Sequence, residues 1–319
     1  MTAASAPTIP ARDQRGHKGT FGTVVVVGGC AIPAKRMVGA PALAAVGALR
    51  AGAGLVKLAC PADVLGGAMA LCPSATGIAL ANDAEGNLIA HEAAQLLDGI
   101  VNDLAGRPGA IVIGPGLGHG EGPRVAALRL VQQQDVPVII DADALNALAE
   151  IPELFRDFHA RAILTPHPGE FRRLAASLRI ASDPIDPSTR EAAAIALAQR
   201  LGCVVVLKGH ATVVTDGLET WTCSRGHACL ATAGTGDVLT GIIAGLVAQF
   251  VPTSIATLHS KAPPDPSKLT LMHAARAAVQ AHALAGEAWS NSRAAAAGML
   301  ATELADLLPQ ALESIRQPT

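Results

Sequence analysis

The sequence predicts an α/β protein: a central, mostly parallel but mixed sheet of eight or more strands with helices on both faces. Short β-branched runs that are apolar throughout alternate with Ala- and Leu-rich stretches of helical period, as buried parallel strands and their crossovers require. Gly-rich turns close several of those runs, where open α/β sheets present ligand-binding residues. Composition agrees, with 319 residues, 50% of them hydrophobic, 32 Gly, 2% aromatic residues and no Tyr. That is enough chain for one large domain packed by Ala, Val, Leu and Gly.

Strands are expected at 24–27, 55–59, 110–113, 136–140, 162–164, 203–207 and 212–215, and helices at 39–53, 91–104, 124–134, 169–178, 190–201, 236–250 and 269–290. Runs 211–216 and 219–223 flank Asp216-Gly217, a hairpin signal that makes the sheet mixed. One domain is expected over 17–312, with tails at 1–16 and 313–319. Segments 181–189 and 252–268, the latter with Pro263-Pro264-Asp265-Pro266, read as surface insertions, the second a mobile loop.

A formal net charge of -2 without a basic block gives no footprint for nucleic acid or an anionic membrane, so a small-molecule partner is expected. Six Cys show neither a CxxC pair nor His at zinc spacing, and read as reduced, mostly buried thiols of a cytoplasmic protein. No stretch reads as a transmembrane helix or a secretory signal.

The most informative run is 231–237, Ala-Thr-Ala-Gly-Thr-Gly-Asp, followed at once by an apolar helical stretch. Amides of Gly234, Thr235 and Gly236 at a helix start suit an anion, and Asp237 beside a bound phosphate suits a base that takes a proton from an attacking hydroxyl. At a helix N-terminus Asp237 is expected to be ionised at neutral pH. A plain helix start, with Thr235 or Asp237 as cap, fits the same residues.

Other runs narrow the choice. His-Lys-Gly-Thr-Phe-Gly at 17–22 precedes its strand and lacks a Gly-Lys-Ser/Thr ending, so it is no Walker A loop and is expected to shape a loop over the sheet edge. Gly114 to Gly120 follows a strand, and Asp141 ends the next one, the best case for an NAD-dependent dehydrogenase; the spacing nevertheless departs from G-x-G-x-x-G. Asp141-Ala-Asp-Ala-Leu-Asn146 is either a ligand-facing strand end or a helix capped by Asp143. Thr165-Pro-His-Pro-Gly-Glu170 forms a stiff turn expected to hold His167 and Glu170 outward, with Glu170 able to approach a hydrated magnesium ion. Lys208 at a strand end beside Gly209 suits phosphate neutralisation. Together, these features point to a phosphoryl-transfer site.

From His17 to about Pro309 the ordered set of motifs resembles the ADP- or ATP-dependent NAD(P)H-hydrate dehydratases of the ribokinase-like superfamily. The set also includes 47–54 (Gly-Ala-Leu-Arg-Ala-Gly-Ala-Gly) and 113–118 (Ile-Gly-Pro-Gly-Leu-Gly). The resemblance implies that Ala40, Gly116, His167 and Asp237 contact the hydrated nicotinamide nucleotide, and that Lys208, Gly209, His210, Ala211, Thr212 and Gly236 hold the adenine nucleotide. It also implies a tetramer, Mg²⁺, and phosphorylation of the ring hydroxyl followed by loss of phosphate. Ala233 stands where the family usually has a second glycine, the loop 30–36 departs from the common pattern, and 252–268 replaces a short turn. With only a short stretch ahead of His17, an epimerase is expected as a separate chain, and ADP as the donor. A kinase of a small alcohol such as a hydroxymethylpyrimidine, or a non-catalytic nucleotide sensor, would use the same fold.

Overall fold

The computed structural model describes residues 7–253 and 265–317. The expected insertion 252–268 therefore lies largely outside the described residues. Among the described residues nine strands form one sheet in the order β3-β2-β1-β4-β5-β6-β7-β8-β9. They are β1 (Thr23–Val27), β2 (Leu55–Pro61), β3 (Thr76–Leu80), β4 (Gly109–Ile113), β5 (Val138–Ile140), β6 (Ala162–Leu164), β7 (Val204–Leu207), β8 (Val213–Thr215) and β9 (Thr220–Thr222). β1 to β7 pair in parallel, and the hairpin β8–β9 adds two antiparallel strands.

Alternation along the strands sorts the ten α-helices of the described residues between two faces. Val24, Val26, Val56, Leu58, Val112 and Ile139 point to one core, covered by α1 (Gly39–Arg50), α2 (Ala62–Leu71), α8 (Thr235–Phe250), α9 (Leu271–Arg293) and α10 (Ala301–Glu313). Val25, Val27, Ile111, Ile113, Val138 and Ile140 point to the other, covered by α3 (Ala90–Leu104), α4 (Glu121–Val131), α5 (Ala142–Ala149), α6 (Pro168–Leu178) and α7 (Arg190–Leu201). No helix among the described residues is long and apolar enough to cross a membrane. All six Cys are free and buried.

β1 lies between β2 and β4, so chain order reverses there and a crevice is expected at the carboxyl ends of these strands. α1 and α8 both begin at that end and pack closer than side chains allow. A Cβ on Gly241 would lie 2.1 Å from the Ala44 carbonyl oxygen, and one on Gly47 would lie 2.5 Å from that of Val238. Glycine is therefore the only residue that permits this separation, and the separation fixes where α8 starts.

Several expectations need correction. The 17–22 loop does not lie over a sheet edge: it enters the central strand β1 at its amino end, where the Lys18 carbonyl oxygen would be 1.8 Å from a Cβ on Gly54. β8 starts at Val213 rather than 211 or 212, because Ala211 adopts φ 54° and cannot join a strand. α4 begins at Glu121, since Pro123 falls in a first turn whose amides need no intrahelical partner. Of the stretches expected as tails, Ile9 is fully buried and bridges Arg316.

Gly241→Val should force α1 and α8 apart and lower unfolding free energy by about 1–3 kcal/mol, the usual cost of overpacking. Urea denaturation reads this directly, and an unchanged midpoint would contradict the close-packing account.

Candidate active site

Four strand ends and one helix start converge at the carboxyl edge of the sheet. Asp141 follows β5, its amide donating to Ile113 O at 3.1 Å. Its own carbonyl comes so close to the β4 end that a Cβ on Gly114, at φ 122°, would lie 1.8 Å from it. Asp141 occupies the N-cap of α5, yet its side chain caps nothing there. Instead, one carboxylate oxygen accepts from Lys208 Nζ at 2.6 Å and the other from Thr240 Oγ1 at 2.7 Å. Asp143, weighed as the cap, instead accepts the Gly118 amide at 2.9 Å and so ties α5 to the Gly-rich turn after β4.

The turn after β6 is built as a capping box. His167 Nδ1 accepts from the Gly169 amide at 2.9 Å, and Glu170 returns an oxygen to the His167 amide at 2.8 Å. His167 is half exposed, but Glu170 is buried, so the expectation that both face outward holds only for the first. The box itself turns the glutamate inward. It stands 3.8 Å from Lys208 Nζ, and burial pushes its carboxyl up to about 7 against the opposing pull of that ammonium. Lys208 itself stays protonated: burial alone would lower its proton affinity, but Asp141 and Glu170 outweigh it.

α8 starts at the same place. Gly234 is its N-cap at φ 91° with no side-chain cap, so neither Thr235 nor Asp237 serves as the expected cap. Thr235 Oγ1 turns back to the carbonyls of Leu230 and Thr232, both at 2.8 Å. The first-turn amides of Gly236 and Asp237 meet no acceptor among the described residues, which leaves an anion-seeking helix end. A Cβ on Gly236 would lie 3.6 Å from Lys208 Nζ, so ammonium and helix start face the same space.

Asp237 is partly exposed, at the mouth of this cluster. The expected full ionisation does not hold: burial first, and then Asp141, push its carboxyl up to about 7, with Lys208 opposing, so it is only partly ionised at neutral pH. The helix dipole does not compensate for lost solvation beside three other acids, Asp141, Glu170 and Asp143. His282 of α9 closes the floor by meeting the Thr235 carbonyl at 3.0 Å, and burial drives its proton affinity down to about 4, so it is neutral.

The remaining candidates fall into two neighbouring groups. Ala40, at the start of α1, lies against Gly116, whose Cβ would be 3.3 Å from that of Ala40 and 3.1 Å from that of Met37. Leu43, one turn on, touches the Gly234 position. Lys208, Gly209, His210, Ala211 and Thr212 form the β7–β8 connection, with Gly209 at φ 146° and Thr212 Oγ1 donating to Gly209 O at 3.0 Å. Arg190, buried at the start of α7, donates to the carbonyls of Leu207 and Lys208 at 2.8 and 2.9 Å and also holds Pro184 O of the 181–189 insertion. Sequence reasoning missed Arg190, Asp141 as an anchor, and Thr240. Among the described residues no set of three His, Cys, Asp or Glu side chains converges as metal ligands. A 340 Å³ cavity lined by Arg161, Cys203 and His273 sits at the opposite, amino-terminal end of the sheet.

A doubly wound sheet whose strand ends face a Gly-Thr-Gly-Asp helix start is the arrangement of ribokinase-like proteins. A crystal structure of a ribokinase-like superfamily protein from Enterococcus faecalis matches 98% of this chain and 93% of its own at TM-score 0.70 and 26% identity. More specifically, the family model described as NAD(P)H-hydrate dehydratase matches residues 24–310, and the chain belongs to that family. An ADP-dependent (S)-NAD(P)H-hydrate dehydratase of Neisseria meningitidis is 38% identical over 96% of this chain and 90% of the relative. The Bacillus subtilis ADP/ATP-dependent NAD(P)H-hydrate dehydratase, co-crystallised with ATP/Mg²⁺, superposes at TM-score 0.71 and 31% identity, covering 97% of this chain and 95% of that one. A bifunctional NAD(P)H-hydrate repair enzyme of Salinibacter ruber is 38% identical over 94% of this chain, which spans only 50% of that relative's length.

Because Asp237 binds its proton more tightly when folded, stability falls as pH rises from about 4 toward 7 and stays lowered above it. Asp237→Asn removes that penalty. It should stabilise the protein at pH 8 by roughly 1–2 kcal/mol after allowance for solvent screening, and the gain should vanish near pH 4, as read by thermal unfolding at the two pH values.

Proposed function

We propose that this protein uses ADP or ATP to dehydrate the S-form of hydrated NAD(P)H, restoring the dihydronicotinamide. The observation that carries this reading is one ammonium and one amide-rich helix start facing the same space, with a carboxyl poised near neutrality at its mouth. Hydroxide is a poor leaving group and phosphate a good one, so a transferred phosphoryl group makes the elimination easy. The ring hydroxyl oxygen bonds to the terminal phosphorus as the phosphorus–oxygen bond to the nucleotide breaks, and Asp237 takes the hydroxyl proton. Phosphate then leaves the ring carbon with the bonding electron pair, the neighbouring carbon gives its proton to the departing phosphate, and the electrons of that carbon–hydrogen bond re-form the double bond.

The amides of Gly234, Gly236 and Asp237, together with Lys208, would stabilise the charge on the transferring group; the Thr235 amide, expected in this role, is instead spent on Thr232 O at 3.4 Å. Ala40, Gly116 and His167 would line the hydrated nucleotide, and residues 208–212 the adenine nucleotide. Three carboxyl groups share a single ammonium, and two of them are held near half-protonation for want of counter-charge, which suits a divalent cation; Glu170 would hold Mg²⁺ through water. When bound, that ion supplies further neutralisation of phosphate charge. We place the protein in the cytoplasm as a homotetramer, working with an NAD(P)H-hydrate epimerase; the bifunctional naming of longer relatives supports a coupled activity.

Incubation with hydrated NADPH, Mg²⁺ and either nucleotide should restore dihydronicotinamide absorbance and release free phosphate. A phosphorylated alcohol as the end product would sink the proposal. With Asp237 as base, kcat/KM should rise with pH through about 7. Asp237→Asn should cut turnover by roughly 10²–10⁴-fold while nucleotide still binds in isothermal titration.

A further inference from the structure

Lys208 is the cation of this cluster, and a lysine is a poor fixed point: its four-carbon stem is flexible and its head seeks water. Here the head is held. Asp141 takes one of its three donors at 2.6 Å, while Glu170 at 3.8 Å is beyond hydrogen-bond reach. Asp141 is in turn held by Thr240, whose side chain is completely buried in the second turn of α8. After Asp237, α8 carries only two polar side chains, Thr240 and Gln249. Thr240 lies one turn beyond Asp237 on the same helix. The chain also accepts a strained residue here, since Ala142, directly after Asp141, sits at φ 51°.

We infer that Asp141 and Thr240 are positioning residues forming a brace from α8 through β5 to β7, which holds the Lys208 ammonium at the start of α8 where a nucleotide's terminal phosphate arrives. The inference rests on the phosphoryl-transfer reading above. Two of the ammonium's donors remain for phosphate oxygens, and the brace fixes their direction. Thr240 touches no substrate; it acts through Asp141, and Asp141 acts through Lys208.

The test compares AMP and ADP affinities of the full chain by isothermal titration, because the ratio of their dissociation constants isolates the second phosphate. In the wild type ADP should bind more tightly than AMP. Thr240→Val, which keeps shape and removes the hydroxyl, should shrink that ratio by about fivefold or more toward its value in Lys208→Met, roughly the worth of one misdirected charged hydrogen bond. AMP affinity should stay within about twofold, certifying the fold, and Thr240→Ser should restore the ratio. If the valine variant does not fold, Thr240→Cys, with a weak donor of similar size, should show the same loss.

A wild-type ratio in either variant, or equal weakening of AMP and ADP, overturns the brace, as does a wild-type ratio near one. The readout needs no dehydration. A protein that discriminates ADP from AMP through Thr240 but leaves hydrated NAD(P)H unchanged would refute the proposed function and retain the brace.

Discussion

One largely buried ammonium shared among carboxylates organises this end of the molecule. Burying Lys208 is costly in itself, and the cost is met only because Asp141 stands 2.6 Å away with its second oxygen already satisfied by Thr240. With Asp141 committed to the pair, Glu170 and Asp237 are left without a full counter-charge, and both are pushed toward neutrality. In the function proposed above, the same shortage of positive charge would favour a phosphate accompanied by a divalent cation. Acidity near 7 is thus a property of the group of residues rather than of any one of them.

The cluster can be held this tightly because it sits on regular elements. Asp141 and Lys208 leave the ends of β5 and β7, on either side of β6 in one hydrogen-bonded sheet, and α8 is set against α1 by glycine contacts that allow no intervening side chain. Loops supply only the outer parts. The 208–212 connection carries a positive-φ glycine and a positive-φ alanine, and Arg190 pins its first carbonyl from beneath. Rigid elements thereby set charge geometry, while the 208–212 connection retains the backbone freedom that a glycine gives.

Much of this was legible in the sequence. Runs such as 24–27 and 204–207 are apolar at every position, which only a strand buried on both faces tolerates, and their helices follow from Ala/Leu periodicity. The edge was harder to read: α2 contains Gly66 and Gly67 and β3 contains Gly77, so neither carries a strong propensity. Pro309 inside α10 hid that helix too. At the site, motif reading found Lys208, Glu170 and Asp237 but not their mutual arrangement. Glu170 was expected outward because the prolines suggest a stiff turn; the capping box that turns it inward is a matter of side-chain geometry. Asp237 was expected ionised because a helix dipole is visible in sequence, whereas neighbouring acids from other strands are not. Thr240 did leave a signal, since a polar residue inside an otherwise apolar, buried helix must find a partner.

The second polar residue of that helix obeys the same rule, and together the two explain how α8 keeps its axial position. At the far end Gln249 donates to the carbonyls of Ala51 and Gly245 and accepts from Arg12 at 2.7 Å. Arg12 also donates to Gly52 O and stacks on Phe21, the aromatic of the 17–22 run. That run lies at the amino end of the sheet, remote from the carboxyl-end cluster, and its place in the fold is to close the floor beneath α8. The helix is therefore tied by hydrogen bonds at both ends and by glycine contacts between them. Hydrophobic packing alone would tolerate a small slide along the α1 groove, being non-directional. A shift of even about 1 Å would carry these hydrogen bonds out of their geometry, so the polar ties convert a greasy helix into a fixed ruler between the floor and the unpaired amides at its start.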